Sequence, residues 1–319
     1  GGYVGAFQWG PANVITTISN EAELVKVHGK PNDTVAASWF AAANFLGYSN
    51  NLKVVRVVEE AQALNAVTSG SAILIHNEDE WENNYAEGGN SVGMFAAKYP
   101  GALGNSLGVS ICDGTGTLFA NWDYKQEFDS APGTSDYAAA VGGSDDEMHI
   151  IVVDEDGLWT GSPGTVLEKF AYVSKAADAK KADGSKNYWR DVLRGSKYIW
   201  WMDEQTGTST WGNNAAGVTF EAVSSTSLVS LTSGAEGNEV STGELQLGWD
   251  LFANAELVDV NLLIQGPWDL TVGQYIVELA QTRMDCVAFV SPALSSVVNN
   301  LDPQTSVVSD RSTLGVNSS

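Results

Sequence analysis

Apolar residues recur at helical spacing in residues 35–46, where Val35, Trp39, Ala42 and Leu46 fall on one face. A shorter helix precedes it, opened by Asn20 as cap with Glu23 at the capping-box position. His28-Gly29-Lys30-Pro31 stops that helix, because Gly suits the position after the last turn and Pro commonly follows. Asp33 or Asn32 is placed to cap the second helix, and Gly47 to end it. Leu52-Lys53-Val54-Val55-Arg56-Val57-Val58 is then apolar on both faces except at Lys53 and Arg56, the pattern of a strand buried in an α/β sheet. With Phe7-Gln8-Trp9 ahead of a Gly10-Pro11 turn, residues 7–58 read as strand, turn, helix, loop, helix, strand.

The pattern changes after residue 60. Residues 61–70 are small and polar, a junction, and 73–75 form a short apolar strand ending at His76. Residues 94–99 lead into a Pro100-Gly101 turn, 107–112 alternate as a strand, and 148–153 form another closed by Asp156-Gly157, a type I′ hairpin signal. Residues 166–176 fit strand or helix equally. Residues 188–193 read as helix, 198–202 as an apolar strand and 205–217 as a surface loop. After residue 223 helices and strands alternate again. Ser241 and Glu244 make a capping box ahead of an apolar face of Leu245, Trp249 and Phe252. Residues 257–264 read as a buried strand, 272–279 as helix, 286–290 as strand, and 299–319 as a Ser- and Asn-rich tail.

Strands separated by helices imply parallel pairing through right-handed crossovers. The expected fold class is α/β plus α+β. Residues 1–65 and 225–319 form a discontinuous core, a mixed, largely parallel sheet flanked by helices. Residues 66–224 are an inserted β-rich α+β domain. Strands near residues 54 and 260 are then expected in one sheet.

Taken as words, several stretches are similar to the tail sheath proteins of contractile-tailed bacteriophages. They are Phe7-Gln8-Trp9-Gly10-Pro11, Asn20-Glu21, Gly29-Lys30-Pro31, Asn44-Phe45-Leu46-x-Tyr48 and Leu52-x-Val54-Val55-Arg56-Val57-Val58. Tyr99-Pro100-Gly101-Ala102-Leu103-Gly104-Asn105, Gly195-Ser196-Lys197-Tyr198-Ile199 and Leu231-Thr232-Ser233-Gly234 follow in family order. Gly248-Trp249-Asp250-Leu251-Phe252, Val258-Asp259-Val260 and Arg283-Met284-Asp285-Cys286-Val287 close the set. The resemblance implies a structural subunit, not an enzyme. Such subunits polymerise around a tail tube and contract to drive it through the host envelope, exchanging one set of interface contacts for another. The implied partners are further copies in a helical homo-oligomer, the tail tube and baseplate proteins. The implied location is the virion tail, after assembly in the host cytoplasm, with no cofactor. The sheath of a bacteriocin or secretion-type injection machine would look nearly the same.

Where the chain departs from the resemblance, the expectations change. An outer domain inserted near residue 70 in some sheaths is expected to be absent. So are the amino-terminal arm, which would add a strand to a neighbour's sheet, and the tube-facing carboxyl-terminal domain. The chain is therefore expected to be a core fragment, monomeric alone.

Composition narrows the alternatives. At 319 residues, two domains are the natural division. A net charge of −23 argues against nucleic-acid binding and requires like subunits to set opposite charges against each other locally or to use cations. Charge is segregated. Residues 59–87 carry Glu59, Glu60, Glu78, Asp79, Glu80, Glu82 and Glu87 without a cation, while 175–197 carry Lys175, Lys180, Lys181, Lys186, Arg190, Arg194 and Lys197. Glu78, Asp79, Glu80 and Glu82, with Lys180, Lys181, Lys186, Arg190 and Arg194, are the interface candidates. Solvated faces are the plainer reading. No apolar run approaches the roughly 18 residues of a membrane helix, and no signal peptide is evident. Cys112 and Cys286 lie in apolar strand patterns, as buried free thiols would.

Catalytic signatures are absent. His28, His76 and His149 are scattered, with His28 set where a positive charge would favour a helix end. There is no Gly-x-Ser-x-Gly elbow and no phosphate loop, and Gly114-x-Gly116 lacks the third Gly of a dinucleotide fingerprint. Asp154-Glu155-Asp156-Gly157 lacks calcium-loop spacing and reads as a hairpin tip. No metal ligand set emerges. Trp39, Trp200 and Trp249 lie on apolar faces. Trp122, Trp159, Trp211 and Trp268 lie in loop contexts and are the candidates for stacking on sugars; with the 39 carboxylates, among which no acid pair stands out, they keep open the reading of an acidic secreted carbohydrate-binding or hydrolytic protein.

Overall fold

A computed structural model describes all residues except 115, 205–207, 224, 238 and 316–319. The protein is a mixed α/β chain that divides into two compact units, residues 1–63 with 236–319, and residues 64–235.

The first segment contains β1 (Gly2–Gly5), β2 (Ile15–Ile18), α1 (Glu21–His28), α2 (Ala36–Leu46) and β3 (Leu52–Arg56). β1 and β3 are parallel, with Tyr3 opposite Val54, and β2 runs antiparallel on the far side of β3. The opening strand is thus earlier than Phe7. Phe7 begins the turn instead, and the reason is Arg56. This cation, an exception in the apolar pattern of its strand, is fully buried; its Nε donates to the Phe7 carbonyl (2.9 Å) and its Nη1 to that of Gly10 (2.7 Å). Asn20 caps α1 by accepting from the Glu23 amide. The Glu23 carboxylate, however, accepts from the amide and hydroxyl of Ser19, one residue before the box position. Gly29 follows α1 at φ +79°, where a side chain would be strained. Asn32 accepts from the amides of Thr34 and Val35, so it closes a turn ahead of α2 and does not cap it. His28 is not a charged helix end. It is buried, its Nδ1 donates to the Trp9 carbonyl (3.3 Å), and desolvation together with nearby Arg56 lowers its pKa to about 3.

Residues 64–235 contain α3 (Glu78–Asn84), β4 (Phe95–Ala97), β5 (Leu107–Cys112), α4 (Thr117–Asn121), α5 (Asp136–Ala140), β6 (Glu147–Asp154), β7 (Thr165–Ser174), α6 (Trp189–Leu193), β8 (Ile199–Trp201) and β9 (Val229–Ser230). β7, β6, β5 and β9 form one antiparallel sheet; β4 and β8 pair separately. Residues 73–75 are not a strand: the buried Asn65 side chain takes both the amide and the carbonyl of Ile75. Nor is Asp156-Gly157 a two-residue hairpin, since β7 starts only at Thr165. The Asp154 carboxylate organises the long connection by accepting from the hydroxyls of Ser106 and Thr160 and the amides of Trp159 and Thr160. The ambiguous 166–176 stretch is strand because it pairs with β6. His149 is enclosed by Phe128, Trp122 and Tyr172; its Nδ1 accepts from the Tyr172 amide and its Nε2 donates to the Ser130 carbonyl. Lys175 is buried too, 3.3 Å from Asp113. Trp122 and Trp211 are buried at 2% and 3% exposure, which removes them as sugar platforms. The loop read over 205–217 begins at 205–207, outside the described residues.

The last segment contains α7 (Thr242–Asp250), β10 (Leu262–Ile264), α8 (Leu270–Arg283), β11 (Val287–Phe289), α9 (Leu294–Val297) and α10 (Pro303–Thr313). β10 pairs in parallel with β1 and β11 with β10, giving a five-stranded sheet in the order β11-β10-β1-β3-β2. Strands near residues 54 and 263 therefore share a sheet. On one face Tyr3, Leu52 and Val54 pack against Leu24 and Trp39 of α1 and α2; on the other Val4, Val55 and Leu263 pack against Trp249 and Ile276 of α7 and α8. The capping box at Ser241 and Glu244 is formed. The expected 257–264 strand shrinks to its last three residues, with Leu257 81% exposed. Cys112 is buried, whereas Cys286 is only half-buried. The tail contains a helix, α10, because Asp302 caps it and Pro303 occupies its first turn; residues 316–319 lie outside the described residues.

Candidate interface

The two charged stretches meet each other within the 64–235 unit. α3 starts at Asn77, whose side chain accepts from the Glu80 amide, and Glu78, Asp79 and Glu80 fill its first turn, where the helix dipole favours anions. Trp81 anchors α3 by stacking on Trp200 (4.6 Å between rings) and donating Nε1–H to the Trp201 carbonyl. Against this anchor α6 sets its cations. Arg194 pairs with Glu82 and lies 4.0 Å from Glu78. Arg190 pairs with Glu204 and lies 3.6 Å above the Trp201 ring. Lys186 pairs with Asp191 at 3.2 Å, and Glu80 with His76 at 2.7 Å. These groups are partly exposed, so each pair contributes at most ~1 kcal/mol. Their effect is to neutralise locally the charge that sequence segregation suggested for a neighbour.

The remaining candidates lie apart. Lys180 and Lys181 sit on a tight turn and line a recess of about 280 Å³ with Asp136, Glu147 and Tyr137. Burial pushes the Glu147 carboxyl up, opposed by a hydrogen bond from the Gly133 amide. Asp79 is exposed on α3 and has no ion pair among the described residues. Six of the nine candidates thus have ion-pair partners inside the unit, and Asp79, Lys180 and Lys181 have none among the described residues.

Charge reasoning missed a second surface. β11 ends the five-stranded sheet, and Val287 and Phe289 on it are 58% and 53% exposed. Met284 before it, at 87%, and Leu294, Val298 and Leu301 after it are exposed as well. A terminal strand with open backbone groups and apolar side chains outward is a template for another chain. The signal was present in Cys286-Val287-Ala288-Phe289-Val290, but an apolar run looks the same whether neighbouring strands or another chain will cover it. Among the described residues no three His, Cys, Asp or Glu side chains cluster to hold a metal, and no helix is long and apolar enough to cross a membrane.

An open, apolar sheet edge of this kind is suited to pairing with another chain. Known proteins similar to this chain point the same way. The profile of the tail sheath protein Gp18 domain III N-terminal region matches residues 2–57, the segment holding β1 to β3 and the Arg56 clamp. The tail sheath protein of Salmonella phage ViI is 26% identical over 390 positions, covering 94% of this chain and 58% of that protein. That of Enterobacteria phage T4 is 24% identical, covering 92% and 58%. That of Vibrio phage KVP40 is 46% identical over a shorter stretch of 70 residues, 22% of this chain and 10% of that protein. Residues 2–57 thus match a tail sheath domain, and most of the chain is similar to tail sheath proteins of bacteriophages. The chain spans 58% of the length of the ViI and T4 relatives.

Proposed function

We propose that the chain is a structural subunit of a contractile tail sheath, assembling with copies of itself around a tail tube and shortening to drive that tube into the host. The observation that carries this reading is the open β11 edge, apolar on its outer faces, in a chain whose relatives are named tail sheath proteins. An extended segment from a neighbouring copy would pair with this strand by backbone hydrogen bonds, its apolar side chains covering Val287 and Phe289. Asp79, Lys180 and Lys181 serve as secondary electrostatic contacts. Residues 1–63 and 236–319 act as one largely parallel core domain, into which 64–235 is inserted. The alignment with the ViI protein runs to 390 positions against 319 residues here, which supports the absence of an outer insertion. The partners would be further copies, the tube and the baseplate, in the virion tail, with no catalytic role.

The test is electron microscopy of the complete product of the gene beside the 319-residue chain. Hollow tubes from the complete product, lost on Phe289→Lys, support the assignment. A complete product that stays monomeric across ionic conditions refutes it.

A further inference from the structure

The unit formed by residues 1–63 and 236–319 also contains a cleft away from the β11 strand. β1 has parallel neighbours on both sides, β3 and β10. The connection from β1 to β3 passes through α1 and α2 on one face, whereas that from β10 to β11 passes through α8 on the other. Connections that leave on opposite faces part the carboxyl ends of β1 and β10. In open α/β sheets this is the place where ligands bind. Here the opening is a cavity of about 250 Å³, bounded by Ala6 after β1, Gln265 after β10, Ala37 and Ser38 of α2, and Asp269 before α8.

Two independent features of its wall lack partners. Gln265 is only 4% exposed; its Nε2 donates to the Asp269 carbonyl, while its Oε1 has no hydrogen-bond partner among the described residues. The second is the start of α2. α1, α7 and α8 are each capped by a side chain, from Asn20, Ser241 and Asp269, but α2 is preceded by Val35 and has no side-chain cap. Its first-turn amides therefore receive no side-chain acceptor among the described residues. The Asp269 carboxylate does not compete for them, being taken by the Val272 amide and the Thr242 hydroxyl. Val240, Leu245 and Val272 make the rest of the wall apolar.

We propose that this cleft binds a small carboxylate bearing an adjacent N–H or O–H group and a short branched apolar chain. The carboxylate sits on the α2 amides, where the helix dipole adds to the hydrogen bonds. The adjacent donor satisfies Gln265 Oε1, and the apolar chain lies against Leu245 and Val272. The cavity has room for one residue-sized molecule and no more.

N-acetyl-L-leucine has this chemistry, and N-acetyl-L-leucinamide lacks only the carboxylate. Calorimetric titration of the intact chain should show saturable one-site binding of the acid and at least tenfold weaker binding of the amide. Gln265→Leu should weaken binding of the acid at least tenfold. Ala37→Leu, at an exposed position on the rim, should abolish it while leaving the circular dichroism spectrum unchanged. The proposal is overturned if the acid does not saturate at millimolar concentration, or if both variants bind it as the parent does. Sheath assembly is read by microscopy, so neither result bears on it.

Discussion

Acid destabilises the 1–63 and 236–319 unit through one histidine. His28 is fully buried at the end of α1, tilted against Phe7 at 4.7 Å, with Nε2 3.0 Å from the Thr16 hydroxyl. In the unfolded chain an imidazole takes a proton below about pH 6.5; in the folded one, burial and Arg56 delay this to about pH 3. Between those values the unfolded state holds more protons, so stability falls as pH falls. At roughly 1.36 kcal/mol per pH unit, His28 alone removes about 5 kcal/mol across the interval and about 2.7 kcal/mol between pH 6.5 and 4.5. That is a large share of the ~5–15 kcal/mol that holds a domain together. Carboxylates titrate in the same range, so the comparison is with His28→Gln, which keeps a hydrogen-bonding side chain and cannot charge. Urea unfolding followed by tryptophan emission suits this site, since the Trp9 amide donates to the His28 carbonyl and Trp39 Nε1 to that of Gly29. The variant is expected to be less stable at pH 7.5, with the gap narrowing by about 2–3 kcal/mol at pH 4.5. A gap constant with pH would refute the reasoning.

Three further outcomes are expected. Lys175→Met removes the cation beside the buried Asp113 carboxylate, which keeps the Val223 amide, and should cost about 3–5 kcal/mol in urea unfolding; Asp113→Leu added to it should recover part of the loss. Gly248→Ala puts a Cβ 2.5 Å from Val4 Cγ1 and 2.8 Å from Val57 Cγ1, where α7 crosses the sheet. Overpacking of about 1–3 kcal/mol should lower the melting temperature, and an unchanged melt would show that α7 shifts freely. Ser241→Ala removes the hydroxyl that accepts from the Glu244 amide in the α7 capping box and should cost about 1 kcal/mol by the same measurement.

The candidate interface was half legible. The acidic and basic stretches were evident from composition, but that Arg194 would reach Glu82 was not, because the two are separated by more than a hundred residues and meet only through the Trp81–Trp200 stack. Likewise Lys175, grouped with the surface cations, is buried by an aspartate sixty-two positions earlier. Residues 286–290 were read as a strand, but composition does not reveal which strand a sheet ends on.

Local interactions and periodicity determined much by themselves. The Asn20 cap, the Gly29 stop, the Ser241 capping box, the apolar faces of α2 and α7, and a strand over 52–56 rest on neighbours within about one turn or on side-chain alternation. Only the tertiary structure decided the fate of the charged and polar groups. Arg56 holds the Phe7 and Gly10 carbonyls, His28 is neutral, Asn65 takes a would-be strand out of pairing, and Asp154 turns an expected tight hairpin into a long loop. A polar side chain in an apolar context has to find its partner wherever the fold brings one, and that partner is commonly far away in sequence.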